Sequence, residues 1–148
     1  MEPLTAAHIL FLGLWGGLVA VEVAFEAQVF TGKMDERAVA GLHRITDRFI
    51  ELPVLIAVLL TGWLLWKQTD FDHSLLPKVV FGLGAVFANA VCYVIVEMRA
   101  SEALRTADSD NDGYKLRRLS IILVSTITPG ILSAGIALFL GGQRIGWW

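Results

Sequence analysis

Apolar residues in this chain gather into four long runs, parted by short polar stretches. The runs cover about 7–30, 45–66, 76–98 and 116–140. Each is close to the ~20 residues that a helix needs to cross the hydrocarbon core of a bilayer. Only helices and closed barrels satisfy the backbone there, and these runs lack the strict alternation of barrel strands. Gly32 and Lys33 end the first run, Asp70-Phe71-Asp72-His73 forms the second connection, and Thr106 to Gly113 forms the third, the most polar. The pattern predicts an all-α, membrane-spanning antiparallel four-helix bundle, with residues 1–148 as a single domain.

Composition agrees. Of 148 residues, 55% are apolar and 18% charged, too little polar surface for a soluble domain of this size. The expected partner is the lipid bilayer, and a homo-oligomer is compatible with it. The net charge of -2 is uninformative, and no basic patch points to nucleic acid. Cys92 is the only cysteine, which rules out an internal disulfide and a cysteine-based zinc site. It reads as a buried, inert thiol. Met1-Glu2-Pro3 carries no basic n-region, and no small-residue cleavage site precedes Glu22, so the first run reads as a retained helix.

Charge bias sets the expected orientation. One side collects Lys33, Arg37, Arg44, Arg48, Arg99, Arg105, Lys115, Arg117 and Arg118, and the other Lys67, Lys78 and Arg144. The Lys/Arg-rich side is normally cytoplasmic, which puts both termini outside and two loops inside, as in a bacterial inner membrane. Trp63, Trp66, Trp147 and Trp148 fit an aromatic belt at the outer interface. Gly13, Gly16, Gly17, Gly82, Gly84, Ala85 and Ala88 are expected packing positions. Pro53 and Pro129 are expected to bend their helices.

The polar residues inside these runs carry the candidate chemistry. A carboxylate at the bilayer centre costs ~3 kcal/mol on insertion scales. Glu22 and Glu26 lie four residues apart on helix one and share a face. His43, Asp47 and Glu51 repeat that step at the start of helix two, and Glu97 ends helix three, with Asn89 and Tyr93 on the same stripe. The topology brings all six ionisable groups into one membrane half. Five carboxylates and an imidazole suit a mono- or dinuclear site for iron, manganese or zinc. The soluble di-iron bundles use Glu-x-x-His, a spacing absent here. A structural ion-pair network is the competing reading: Arg44 and Arg48 are expected to reach Glu22, Glu26 or Glu51, and Arg99 to reach Glu97. A proton relay is a third.

His8 sits near the opposite end of helix one, fourteen residues from Glu22 and on nearly its face, with Trp15 between. It is a candidate haem ligand, against the commoner role of an interfacial polar residue; His73 is expected at similar depth. Lys78 shares a face with Asn89 and either snorkels to the interface or binds an anionic group. Ser125, Thr126, Thr128 and Ser133 are expected to bond between helices. Asp108-Ser109-Asp110-Asn111-Asp112-Gly113 copies half of an EF-hand loop, but the twelfth position is Leu119, so it reads as a solvated acidic turn.

His8, Trp15-Gly16-Gly17, Arg48 to Pro53, Leu60-Thr61-Gly62-Trp63-Leu64-Leu65 and Leu76-Pro77-Lys78 together resemble the HemJ and CopD type of four-helix membrane protein. The motifs are short but span most of the chain. The HemJ resemblance implies a b-type haem with His8 as ligand, Lys78 as a site residue, and protoporphyrinogen oxidation as the activity. Leu76 and the Asn89–Tyr93 stretch stand where that family has histidines. Three expectations follow: a metalloprotein with redox or metal-assisted chemistry, a HemJ-like haem oxidoreductase, or a non-enzymatic accessory or ion-transport protein.

Overall fold

The computed structural model describes residues 2–69, 73–105 and 113–144, Arg144 by its backbone alone. Helix α1 spans Pro3–Phe30. Pro3 sits in the first turn, where a missing N–H has no partner to lose. The helix stops at Thr31, and Gly32 turns the chain with a φ of 71°. The Lys33 N–H then bonds back to the Gln28 carbonyl at 2.9 Å, which closes the end.

Asp35 starts the next helix by accepting the Ala38 N–H at 2.9 Å. Helix α2, Glu36–Thr46, passes without interruption through a π-helical turn, Asp47–Glu51, into α3, Leu52–Gln68. Pro53 follows that turn directly and lacks the N–H that would close an α-turn on Phe49. The distortion expected at Pro53 therefore takes the form of a widened turn ahead of it. Helix α4 spans Leu75–Arg105, and α5 spans Gly113–Arg144 with Pro129 inside it.

The four apolar runs are thus the middles of longer helices. Hydropathy alone starts the second at residue 45, but the helix begins at Glu36. Its first turns are amphipathic, and Val39 and Ala40 are fully buried. Ala40 packs with Ala103 of α4 and Leu116 of α5. Glu102 of α4 pairs with Lys115 of α5 at 2.9 Å. Packing and ion pairs extend these helices beyond the stretch that averaged hydropathy reports. Of the EF-hand-like turn, Asp108 to Asp112 lie outside the described residues, as do Asp70 to Asp72 and both terminal tryptophans; Gly113 begins α5.

All four helices, taking Glu36–Gln68 as one, are long and apolar enough to cross a membrane. Large apolar side chains face outward all round: Phe49, Phe87 and Leu104 are each about 70% exposed. A soluble monomer does not display such a surface, so the chain is an integral membrane protein. Chain direction alternates from helix to helix, giving the antiparallel bundle. Trp63 and Trp66 are exposed at the end of α3, their rings 6.3 Å apart, with the Lys67 ammonium 5.3 Å over Trp63.

Helices α4 and α5 pack most extensively, α1 lies against α3, and α2 against α4, while α1 and α5 barely touch. The α4–α5 contact uses small residues: a Cβ on Gly130 would lie 2.9 Å from the Ala88 Cβ, and one on Gly84 would lie 3.1 Å from Ser133 Oγ. Gly13, Gly16, Gly17 and Gly82 have open space at that position, so these expected packing glycines make no close helix contact. Thr126 and Thr128 donate to carbonyls of their own helix, Ile122 and Val124, rather than across to another.

Gly130→Ala tests the α4–α5 contact. Its methyl meets a Cβ that cannot swing away, so overpacking of about 1–3 kcal/mol outweighs a helix-propensity gain of about 1 kcal/mol. Gly135→Ala enters open space and keeps the gain alone. Thermal unfolding in detergent should show a lower midpoint for the first and an unchanged or higher one for the second.

Candidate carboxylate site

Four acids meet in the interior. Glu22 and Glu26 come from α1, Asp47 from the first and Glu51 from the last residue of the π-turn; all are at most 5% exposed. One oxygen each from Glu22, Asp47 and Glu51 lies within 4.8 Å of the others. The π-turn explains the alignment. Four residues overshoot a full turn of α-helix, which has 3.6 per turn, and fall short of the wider π-turn. The step from His43 to Asp47 drifts one way and the step from Asp47 to Glu51 drifts back. The three side chains therefore stay on one face.

His43, 4% exposed, stands between the two α1 acids. Its Nδ1 is 3.0 Å from Glu26 Oε1, without hydrogen-bond alignment, and its Nε2 is 3.7 Å from Glu22 Oε2. Arg99 of α4 is fully buried and reaches Glu26 Oε1 at 2.5 Å. Trp15 Nε1 and Asn89 Nδ2 both donate to Glu51 Oε1, at 2.9 and 2.6 Å. Glu22 Oε1 and Asp47 Oδ1 are buried and have no hydrogen-bond partner among the described residues. Glu26 Oε2, His43 Nδ1 and Arg99 Nε and Nη2 are in the same state; buried polar atoms are ordinarily satisfied, so the whole cluster is short of hydrogen-bond partners.

A cavity of about 310 Å³ opens beside these groups. Glu22, Glu26, His43, Asp47, Glu51 and Asn89 form its polar end, and aliphatic side chains of α1, α4 and α5 form the rest.

The expected residues are thus mostly brought together. Glu97 is the exception: it pairs with Arg44 at 3.0 Å, nearer the ends of the helices, outside the close group. The expected pairings of the arginines are corrected. Arg44 takes Glu97 instead of a cluster acid, Arg99 takes Glu26 instead of Glu97, and Arg48 is exposed. The swap follows from depth. Glu26 and Arg99 are both buried and need each other, whereas Arg44 and Glu97 are part-exposed.

At the other end, His8 Nδ1 lies 2.8 Å from Thr61 Oγ1, and Thr61 gives its own proton to the Ala57 carbonyl at 2.7 Å. Lys78 packs across to α5, where a Cβ on Gly141 would lie 3.2 Å from its Cε. His73 is exposed.

Sequence reasoning did not assign Trp15 or Asn89 to Glu51, nor Cys92 to the cavity wall. For Trp15 and Asn89 a signal existed, since indole and amide on an apolar helix face need partners. No family model matches the chain, and no match is found among the curated proteins or the solved structures.

Breaking the buried pair should be costly. Arg99→Met leaves Glu26 buried beside unpaired acids, a loss of about 3–5 kcal/mol, whereas Arg44→Met removes a part-exposed pair for at most about 1 kcal/mol. The double variant Arg99→Met with Glu26→Gln should recover much of the first loss. Unfolding midpoints of the four proteins in one detergent check all three statements.

Proposed function

We propose that this chain is a membrane metalloprotein whose Glu22, Asp47 and Glu51 bind one divalent transition-metal ion, with iron, manganese and zinc as the matching metals. The close approach of the buried Glu22, Asp47 and Glu51 carboxylates in a low-dielectric interior, with Glu22 Oε1 and Asp47 Oδ1 among the oxygens left unpartnered, carries this reading. The four acids have one buried permanent cation among them, Arg99, and it pairs with Glu26. Leaving the remainder ionised inside a membrane bundle costs several kcal/mol per charge. Protons or a cation must supply the balance. A single ion with metal–oxygen bonds of about 2.0–2.2 Å holds its oxygens about 3–4 Å apart, so oxygens up to 4.8 Å apart close in by about 1–2 Å when it binds.

The histidine supports the same reading. Metal-bound imidazoles usually have their second nitrogen against a carboxylate, which orients the ring. Here Glu26 lies at Nδ1, and Nε2 is the atom toward Glu22. His43 is the fourth ligand, Glu26 its support, and Arg99 the counter-charge for Glu26. Trp15 and Asn89 hold Glu51 in place. A metal there supplies Lewis-acid or redox chemistry toward a substrate in the adjoining cavity. The Lys/Arg excess at the end where α2 and α5 begin supports a cytoplasmic placement of that end and a bacterial inner membrane as the location.

Elemental analysis of protein purified from metal-supplemented membranes should find near-stoichiometric iron, manganese or zinc. Asp47→Asn and Glu51→Gln should abolish it, and Glu26→Gln should weaken affinity about 10–100-fold. Metal-free wild-type protein, with variants indistinguishable from it, would sink the proposal and leave shared protons as the charge balance.

A haem of the HemJ type at His8 is the second reading. Thr61 spends its proton on Ala57, so its oxygen accepts from His8 Nδ1–H, and the lone pair lies on Nε2, the atom that ligates haem iron. Lys78 stands in the same membrane half. Haem-replete expression should then give a Soret band that His8→Ala removes; a wild-type protein without one excludes it.

A further inference from the structure

We infer that the carboxylate site is entered sideways from the bilayer, through a cleft between α1 and α5, and that its occupant is a membrane-dissolved molecule with an apolar body and a non-anionic, hydrogen-bond-donating head. It goes beyond the metal reading, since it concerns access to the site and the selectivity of its metal-free state, so either can fail without the other.

The cleft follows from the packing. Helices α1 and α5 are neighbours that barely touch, and the cavity lies between them. Val23, Ala27 and Phe30 line one wall at helical spacing, and Leu123, Ile127 and Ile131 line the other. Each stripe runs for about 10 Å along its helix. Val23, Phe30 and Ile131 at the rim are 38–44% exposed, while Leu123 behind them is buried. The outward side of both helices is the side that faces lipid. Toward the end rich in Lys and Arg, the Arg117 guanidinium lies 4.1 Å over the Phe30 ring and joins the two helices. The way in that remains is lateral, at the depth of the hydrocarbon.

The chemistry of the walls selects the occupant. The flanks are aliphatic, which suits a hydrocarbon body. The inner end holds buried carboxylates, three of whose oxygens (Glu22 Oε1, Glu26 Oε2 and Asp47 Oδ1) lack a hydrogen-bond partner among the described residues. Without a metal, such an end accepts hydrogen bonds and repels anions, so fatty-acid and phosphate heads are rejected while alcohol, phenol and amine heads fit. A volume of about 310 Å³ equals roughly ten water-sized groups, enough for a head and the first part of a chain, with the rest left in the lipid.

Cys92 lines the cavity and is the only cysteine, so the unaltered chain carries its own probe. In sealed vesicles, an uncharged, lipid-soluble maleimide should label it. A permanently charged thiol reagent added to either face should be on the order of a hundredfold slower, because a charge at mid-bilayer is so disfavoured. Ile127→Cys in a Cys92→Ser background repeats the measurement on the wall of the cleft, away from the acids. Val94→Cys, 56% exposed on the outside of α4, serves as the control for lipid-side labelling. Dodecanol and dodecylamine should slow labelling at both cleft positions, and dodecanoate should not. Labelling by the charged reagent at a comparable rate would replace the lateral route with an aqueous one. Labelling of Val94→Cys but of neither cleft position would show the cleft closed, by a second copy of the chain or otherwise. Equal protection by dodecanoate would remove the head-group selectivity. Any of these results overturns the inference.

Discussion

Four carboxylates enclosed by membrane helices have to be neutralised, and much of this structure answers that constraint. Arg99 is buried to the last atom because Glu26 is. His43 is wedged between Glu22 and Glu26, and Trp15 and Asn89 both spend their donors on one oxygen of Glu51. In water each of these contacts would be weak; where the dielectric is low, an unpaired charge is so unfavourable that its partners become obligatory. The balance is still short of positive charge, which protons or a cation must supply.

The π-turn makes the arrangement geometrically possible. A regular α-helix would carry Glu51 steadily round from His43, and the third acid would leave the face that Glu22 occupies. The wider turn cancels that drift, and Pro53 just beyond it removes a hydrogen bond that would favour the tighter form. One local irregularity therefore serves both the backbone, which must accommodate a proline, and the side chains, which must converge.

The rest of the bundle divides the labour. The α4–α5 pair is close-packed through Gly84, Ala88 and Gly130, and α1 rests on α3 through Trp15, Val19, Leu55 and Val58. At the charged end, Ala40, Ala103 and Leu116 form a small buried patch, and Ser120 donates to Glu36, tying α5 to α2. These contacts hold three sides of the site firmly. The fourth, between α1 and α5, is joined near one end by Phe30 and Arg117 and is otherwise open.

The number of helices, their membrane character and the gathering of the acids toward one end of the bundle were legible in the sequence. Long apolar runs have one cheap solution in a bilayer, and topology alone then stacks helix ends together. Glu22, Glu26, His43, Asp47 and Glu51 were legible as a group for the same reason. The sequence could not decide which arginine meets which acid, because that depends on depth and rotation rather than spacing. Nor could it show that Glu97 turns away to Arg44, that Gly13, Gly16 and Gly17 meet no neighbouring helix, or that the second helix starts at Glu36. Those outcomes belong to tertiary structure, since burial of a charge and the fit of two helix surfaces are properties of the assembled bundle.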